Sequence, residues 1–419
     1  MEALIDIALI PILKVVVVVF GFAMAIGTVL TWVERKQSAF IQRRVGPNRA
    51  NLGPITAFGL LHLVADGIKM ILKEDIIPDG SNKVLHMMAP ALGLLPVMII
   101  FAIVPFMDFY CHGTNVVIDG MDYCFAEGGI GAGVVRLDEL ANPLYNPRLG
   151  HYFQIADLQA GLLYMFAVTG VSVYGAAIAG WASNSKFSLM GGLRASAQMI
   201  SYEISMGLSL AGLLMIYATI DVNDIVREQG DLLFGFLPAW GIFMQPVAFV
   251  LFLTASIAES KRAPFDMPEA ESELVAGYFT EYSSMKFAVF SLGEFVAVVF
   301  IAAITATLFL GGWHVPWLYA DGFHFGFDAW TGGAATTTAE AVSAYAAANP
   351  PDLALPYPLV VFLRIGAFIT KTILLCFLQL QLRWTLPRFR YDQVMHLGWK
   401  VLLPISLLNL VVTAFFVLI

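Results

Sequence analysis

Uncharged stretches long enough to cross a bilayer recur along this 419-residue chain, among them 26 residues from Leu232 to Ile257. Such stretches leave few folds open. Hydrocarbon offers backbone N–H and C=O groups no water, so a spanning segment must satisfy them internally, as a helix does. A helix needs about 20 apolar residues to cross. Composition agrees: 59% of residues are hydrophobic, 13% are charged and mean hydropathy is +0.77, far from the soluble norm. We expect an all-α, polytopic integral membrane protein with about eight transmembrane helices, near 7–33, 84–107, 157–180, 196–219, 236–258, 286–310, 358–382 and 400–418. The first run lacks a small-residue cleavage site and is expected to be retained.

Charge placement orients these spans. Of 23 Lys and Arg, seventeen fall in 34–83, 181–194, 259–286 and 383–400. The alternate loops hold three, Arg136, Arg148 and Arg227. The positive-inside rule puts the basic side in the cytoplasm, or the mitochondrial matrix, and both termini on the outer side. Two outer loops are long, 108–156 and 312–357, and read as surface excursions. The net charge of −8, with no basic, aromatic-interleaved stripe, argues against nucleic acid as a partner. Cys376 lies in an apolar run, and no ligand set for zinc, haem or an iron–sulfur cluster is evident. Cys111 and Cys124 share an outer loop and fit either a disulfide or two free thiols.

One segment is helical without spanning. Over 55–73, His62, Asp66, Lys69 and Lys73 form a polar stripe, and Ile55, Phe58, Ile68, Ile71 and Leu72 cover much of the rest. This fits an amphipathic helix lying in the membrane interface.

Ionisable residues inside spans are expensive and point to function. Glu203, Glu294 and Lys371 are three such residues. The plain alternative is an interhelical ion pair, with Lys371 matched to a carboxylate. Between two spans, "AESKRAPFDMPEAESELVAGYFTEYS" holds Glu259, Asp266, Glu269, Glu271, Glu273 and Glu281 against Lys261 and Arg262. Asp266, Pro268 and Glu269 have the spacing of a helix start, which accounts for a few of these acids but not for the cluster. Carboxylates this close raise one another's pKa, so some would hold protons near neutrality. The acidic loop, 259–285, is therefore expected to act as a proton relay leading to Glu203. Other bases, Arg43, Arg44, Arg49, Arg383, Arg388 and Arg390, suit topology setting and lipid head groups.

Together, "ERK…RRVGPNR", "ADGIKMILKED", "WASNSKFSLMGGLRASAQMISYEI", the acidic loop and "TLPRFRYDQVM" resemble one family. It is the quinone-site membrane subunit (the H subunit in bacteria) of the proton-pumping NADH:quinone oxidoreductase, respiratory complex I. The resemblance covers most of 28–107, 157–310 and 358–410; the two long outer loops depart from it. It implies a membrane subunit that forms part of the quinone cavity and couples quinone reduction to proton translocation. Ubiquinone would be the substrate, while NADH, FMN and iron–sulfur clusters would belong to partner subunits. By matching motif, Glu34, Arg35, Lys36, Asp66, Lys69, Arg262 and Phe265 would line or neighbour the quinone path. Glu203, Asp266, Glu269, Glu271, Glu273, Glu281 and Glu294 would form a proton-coupling chain towards antiporter-like subunits. The implied setting is the bacterial inner membrane, among other complex I subunits and lipids. The competing readings are a membrane subunit of an energy-converting hydrogenase and an independent proton-coupled transporter.

Overall fold

The computed structural model describes residues 9–51, 53, 55–107, 109–111, 114–118, 121–125, 135–136, 150–230, 232–233, 237–267, 275–318, 322–323 and 353–418. Among them, seven helices are long and apolar enough to cross a membrane: α1 (Ile10–Ile41), α3 (Lys83–Ile103), α4 (Gly161–Ala182), α5 (Lys186–Tyr217), α9 (Ser284–Phe309), α10 (Tyr357–Thr385) and α11 (Tyr391–Leu418). Between them lie α2 (Leu61–Leu72), α6 (Val222–Glu228), α7 (Gly241–Met244) and α8 (Pro246–Glu259). The chain is thus a multi-pass, all-α membrane protein. What sheet is described is slight. Phe109–Cys111 pairs antiparallel with Gly150–Tyr152, and Thr114–Ile118, Met121–Phe125 and Val135–Arg136 form a three-stranded antiparallel sheet in register Val116↔Tyr123 and Tyr123↔Arg136. The side chains of Cys111 and Cys124 lie outside the described part, as do Glu269, Glu271, Glu273 and the helix start expected beyond Asp266.

Several helices run further than hydropathy suggests. Helix α1 continues past residue 33 to Ile41, and α5 begins at Lys186 with Arg194 inside it. Much of 181–194, expected as a loop, is therefore helix. Hydropathy marks where lipid contact ends, not where the backbone stops being helical; Glu34 on the extension of α1 is buried, while Arg35 and Lys186 stay exposed. The stretch expected as a single fifth span differs in the other direction. It breaks at Gln245, between α7 and α8. Pro246 causes the break: it has no N–H and pushes the preceding residue off helical geometry, and Gln245 sits at φ −138°, ψ 63°. The Gln245 side chain donates to Thr413 (2.6 Å) and accepts from Asn409 (2.9 Å), so α11 stabilises the break.

Helix α9 is the most buried of the seven and packs against α1, α3, α8 and α10. Small residues let neighbouring helices approach closely, as is common where no hydrophobic effect drives association in lipid. A Cβ on Gly175 of α4 would lie 2.8 Å from the Gly93 nitrogen of α3, and one on Gly192 of α5 would lie 2.7 Å from the Ala176 carbonyl of α4. Phe22, Phe106 and Phe368 make an aromatic contact at one end of this core, with centroids 4.8–6.2 Å apart.

Helix α8 has 14 residues, or about 21 Å, and α7 adds one turn. The pair starts beside the end of α9, where Gly241 of α7 approaches Leu308 and Phe309. It finishes level with Glu294, which lines the same cavity as Glu259. Glu294 lies about 15 Å along α9 from its start at Ser284. The loop after α8 is therefore recessed well inside the helix ends.

Lys371 corrects the ion-pair expectation. Its ammonium donates to the carbonyls of Leu310 (2.7 Å), Gly312 (3.0 Å) and His314 (2.7 Å), just past the end of α9, and sits 4.5 Å from the Trp240 ring centroid. A helix C-terminus presents unsatisfied carbonyls and partial negative charge, so a cation fits there without any carboxylate. Gln229 ties the same end together. It donates to Thr307 O (2.9 Å) and accepts from Gly241 N (3.2 Å) and Gly311 N (2.9 Å).

Two outcomes follow at this end of the bundle. Lys371→Met removes a charged donor from three carbonyls and should cost about 2 kcal/mol or more, read as a lower unfolding temperature of the purified complex. Asp221 caps α6 by accepting from Asn223 N (2.8 Å). Burial, then Asp157 and Asp224, push its carboxyl up from 3.8 to about 6. Between these values the folded chain holds more proton than the unfolded one, so stability falls as pH rises through that window. Asp221→Asn keeps a cap and should flatten this dependence in thermal unfolding across the same pH range.

Candidate functional site

Glu34 lies on the last turns of α1 and is buried. Its two oxygens meet Arg262 of the recessed loop at 2.7 Å and Arg383 of α10 at 3.0 Å. The Arg262 guanidinium also stacks 3.7 Å from the centroid of Phe295 on α9. One carboxylate thus joins three parts of the chain and leaves an excess of one positive charge. Close by, buried Asp266 pairs with Arg388 at 3.4 Å.

The loop is held from several sides. Gln198 of α5 donates to Ala258 O (2.7 Å) and Phe265 O (2.9 Å), one on each side of the turn. Phe265 is buried, with its ring centroid 5.6 Å from that of Tyr202 and 5.5 Å from that of Phe389. The Tyr202 hydroxyl donates to Val394 O (2.8 Å), and Phe389 N donates to Pro264 O (3.1 Å). The Phe389 bond ties the loop to the connection before α11, and the Tyr202 bond ties α5 to α11 itself.

At Lys261 the backbone takes φ 58°, in the left-handed region, which costs a non-glycine residue on the order of 1 kcal/mol. The consequence is directional. Arg262 turns to Glu34, while Lys261 lines a cavity of about 60 Å³ on the other side. That cavity lies among α3, α4, α5, α8 and α9, with Thr169, Glu259, Ser260, Lys261 and Glu294 among its polar lining. Elsewhere Met165, Phe252, Phe300 and Ile304 line it. It has room for several waters. Burial pulls the Lys261 ammonium down from the ordinary lysine range, while Glu294 and Glu259 push it back up. Glu203 stands beside this cavity, its Oε1 3.5 Å from Thr169 Oγ1, and is close enough to repel Glu259.

The expected site residues therefore fall into separate groups. Glu34, Arg262 and Asp266 gather at the mouth. Glu203 and Glu294 gather at the cavity. Arg35 pairs with Asp66 of α2 at 2.6 Å, both partly exposed, and Lys36 donates to Val45 O (3.1 Å). Lys69 is exposed on α2, among outward-facing Val64, Ile68, Ile71 and Leu72. Glu281 lies apart, in a 3-10 turn where its carbonyl meets the His86 ring (3.3 Å). Sequence reasoning counted Glu259 in the acidic relay without placing it at the cavity, and assigned no role to Lys261 at the cavity or to Arg383 beside Glu34. A signal existed for Glu259, which directly ends a long apolar run. None existed for Arg383, whose partner lies far away in the chain.

The NADH dehydrogenase family model matches residues 13–414. The chain is 41% identical over 413 residues to an H subunit of the NADH-quinone oxidoreductase of Koribacter versatilis, covering 98% of this chain and 97% of the relative. It is 37% identical over 399 residues to an H subunit of the same enzyme from Cytophaga hutchinsonii (95% and 94%). It is 38% identical over 398 residues to one from Geobacter metallireducens (95% and 94%).

Breaking the Glu34 pair should be costly. Glu34→Gln leaves two guanidiniums facing a neutral group in a buried site, a loss of about 3–5 kcal/mol. Asp66→Asn removes an exposed pair and should cost about 1 kcal/mol at most. The amount of assembled complex and its unfolding temperature should separate the two variants; equal behaviour would refute the ranking.

Proposed function

Because this chain belongs to the NADH dehydrogenase family and is a membrane subunit of NADH:quinone oxidoreductase, we propose that it forms part of the quinone cavity and converts quinone reduction into a charge change that drives proton translocation. The single observation that carries this reading is the divergence of two neighbouring cations. Arg262 sits at the mouth on Glu34, and Lys261 faces Glu259 and Glu294 in the central cavity.

The quinone would enter from lipid between α1, α2 and α9. The outward apolar residues of α2 and its packing against α1 and α9 suit an isoprenoid tail. Glu34, Arg35, Lys36, Asp66, Lys69 and Arg262 supply the polar end that a head group requires. Phe265, buried in the aromatic column behind Arg262, would hold the loop in position. Electrons would come from partner subunits carrying FMN and iron–sulfur clusters and oxidising NADH, docked on the basic side. Ubiquinone is the substrate this reading assigns. The excess of Lys and Arg on that side assigns it to the cytoplasm of a bacterium, with the inner membrane as the site and both termini outside.

Reduction of a quinone takes up two electrons and two protons. Drawing those protons near Glu34 and Asp266 would change the charge around Arg262, and Glu269, Glu271 and Glu273, which follow Asp266 in the sequence, are assigned to the same proton-coupling chain. The loop that holds Arg262 also holds Lys261. A unit charge about 4 Å away is worth about 4 kcal/mol at an effective dielectric constant of about 20. One pKa unit corresponds to about 1.4 kcal/mol. A small shift of Lys261 relative to Glu259 and Glu294 is therefore sufficient to change which carboxylate holds a proton. Glu203, beside Glu259, would pass the change to neighbouring membrane subunits, with Glu281 on a second approach.

The test is Glu203→Gln in the assembled complex. Assembly should be retained while coupled proton pumping falls several-fold. Pumping at the wild-type ratio of protons to electrons would reject the assignment.

A further inference from the structure

A second, smaller cavity lies between the mouth and the central cavity. It measures about 10 Å³ and is lined by Ser260, Arg262, Gln379 and Arg383 with apolar Ile257 and Val298. That is about the space one water molecule needs. Three of its polar residues are more than nine-tenths buried: Ser260, Arg262 and Gln379 are 4%, 7% and 6% exposed. Among the described residues, Arg262 Nε and Gln379 Oε1 are buried without a hydrogen-bond partner. One is a donor and the other an acceptor, and both belong to residues facing this space. A buried polar atom left unpaired costs about 1–3 kcal/mol, so two facing one small cavity are a strong demand for a bridging group. Ser260 Oγ donates to Ile257 O (2.7 Å), which leaves its lone pairs free to accept.

We propose that this cavity binds one ordered water, which accepts from Arg262 Nε and donates to Gln379 Oε1 and Ser260 Oγ. Three bonds are the usual complement of a buried water. A cation is excluded by the two guanidiniums, and an anion of more than one heavy atom does not fit. Ser260 also lines the central cavity. The water therefore connects the Glu34–Arg262–Arg383 network to the compartment of Glu259, Lys261 and Glu294 through a single hydroxyl. This role as a link rests on the proposed function; the water site itself does not.

A density map of the assembled complex that resolves ordered waters tests the site. A peak within hydrogen-bond distance of Arg262 Nε and Gln379 Oε1 is expected. Direct closure of Arg262 onto Gln379, or a cavity without density, would overturn the proposal. In Gln379→Leu the peak should be lost; its persistence would equally overturn it. If that variant fails to assemble, the wild-type map still decides. Pumping by Glu203→Gln judges the functional reading separately, since it does not depend on this density.

Discussion

A charge placed inside a slab of hydrocarbon has to be answered locally, because no bulk water screens it. Three different answers organise this protein. Glu34 is answered by two guanidiniums, Lys371 by three carbonyls at a helix end, and Lys261 by two carboxylates around a small cavity. Each answer draws together parts of the chain that are remote in sequence. The Glu34 group joins α1, the recessed loop and α10; the Lys371 group joins α10 to the end of α9. The positions of the helices, and therefore of the cavity, depend on these pairings being made.

Packing sets where the charges meet. Glycines on α3, α4 and α5 bring three helices to near backbone contact, which narrows the bundle around the central cavity. Pro246 interrupts the path of α7 and α8, and α8 ends level with Glu294 rather than at the helix ends. The loop that follows is consequently drawn into the bundle. Gln198 fastens both of its sides, so Lys261 and Arg262 point to opposite compartments from a fixed hinge. A loop at the surface would have exposed both cations to water and weakened their influence on nearby carboxylates, since the same charge counts for less in a high dielectric.

Much of this was legible in the order of residues, though unevenly. Glu203 and Glu294 stand alone in apolar runs, and that isolation marks them without any structure. The polar stripe of His62, Asp66 and Lys69 likewise marks α2. Lys371 carries the same signal, yet its partners are carbonyls, and backbone groups leave no trace in a list of side chains. The break at Gln245 was readable from Pro246 but was masked by a long hydrophobic run. The extension of α1 to Ile41 was hidden because hydropathy falls where charges pair with one another and not only where a helix stops.

What the sequence determined by itself is the class of fold, the family and the presence of costly charges inside the membrane. Length and apolarity decide these locally, and a polar group in a lipid-crossing run requires an explanation wherever its partner lies. Tertiary structure alone decided which charge answers which: Arg383 rather than a neighbour for Glu34, carbonyls for Lys371, and opposite sides for Lys261 and Arg262. The physical reason is that electrostatic pairing depends on distance in space, and in a helix bundle the nearest partners are set by crossing helices and recessed loops, not by separation along the chain.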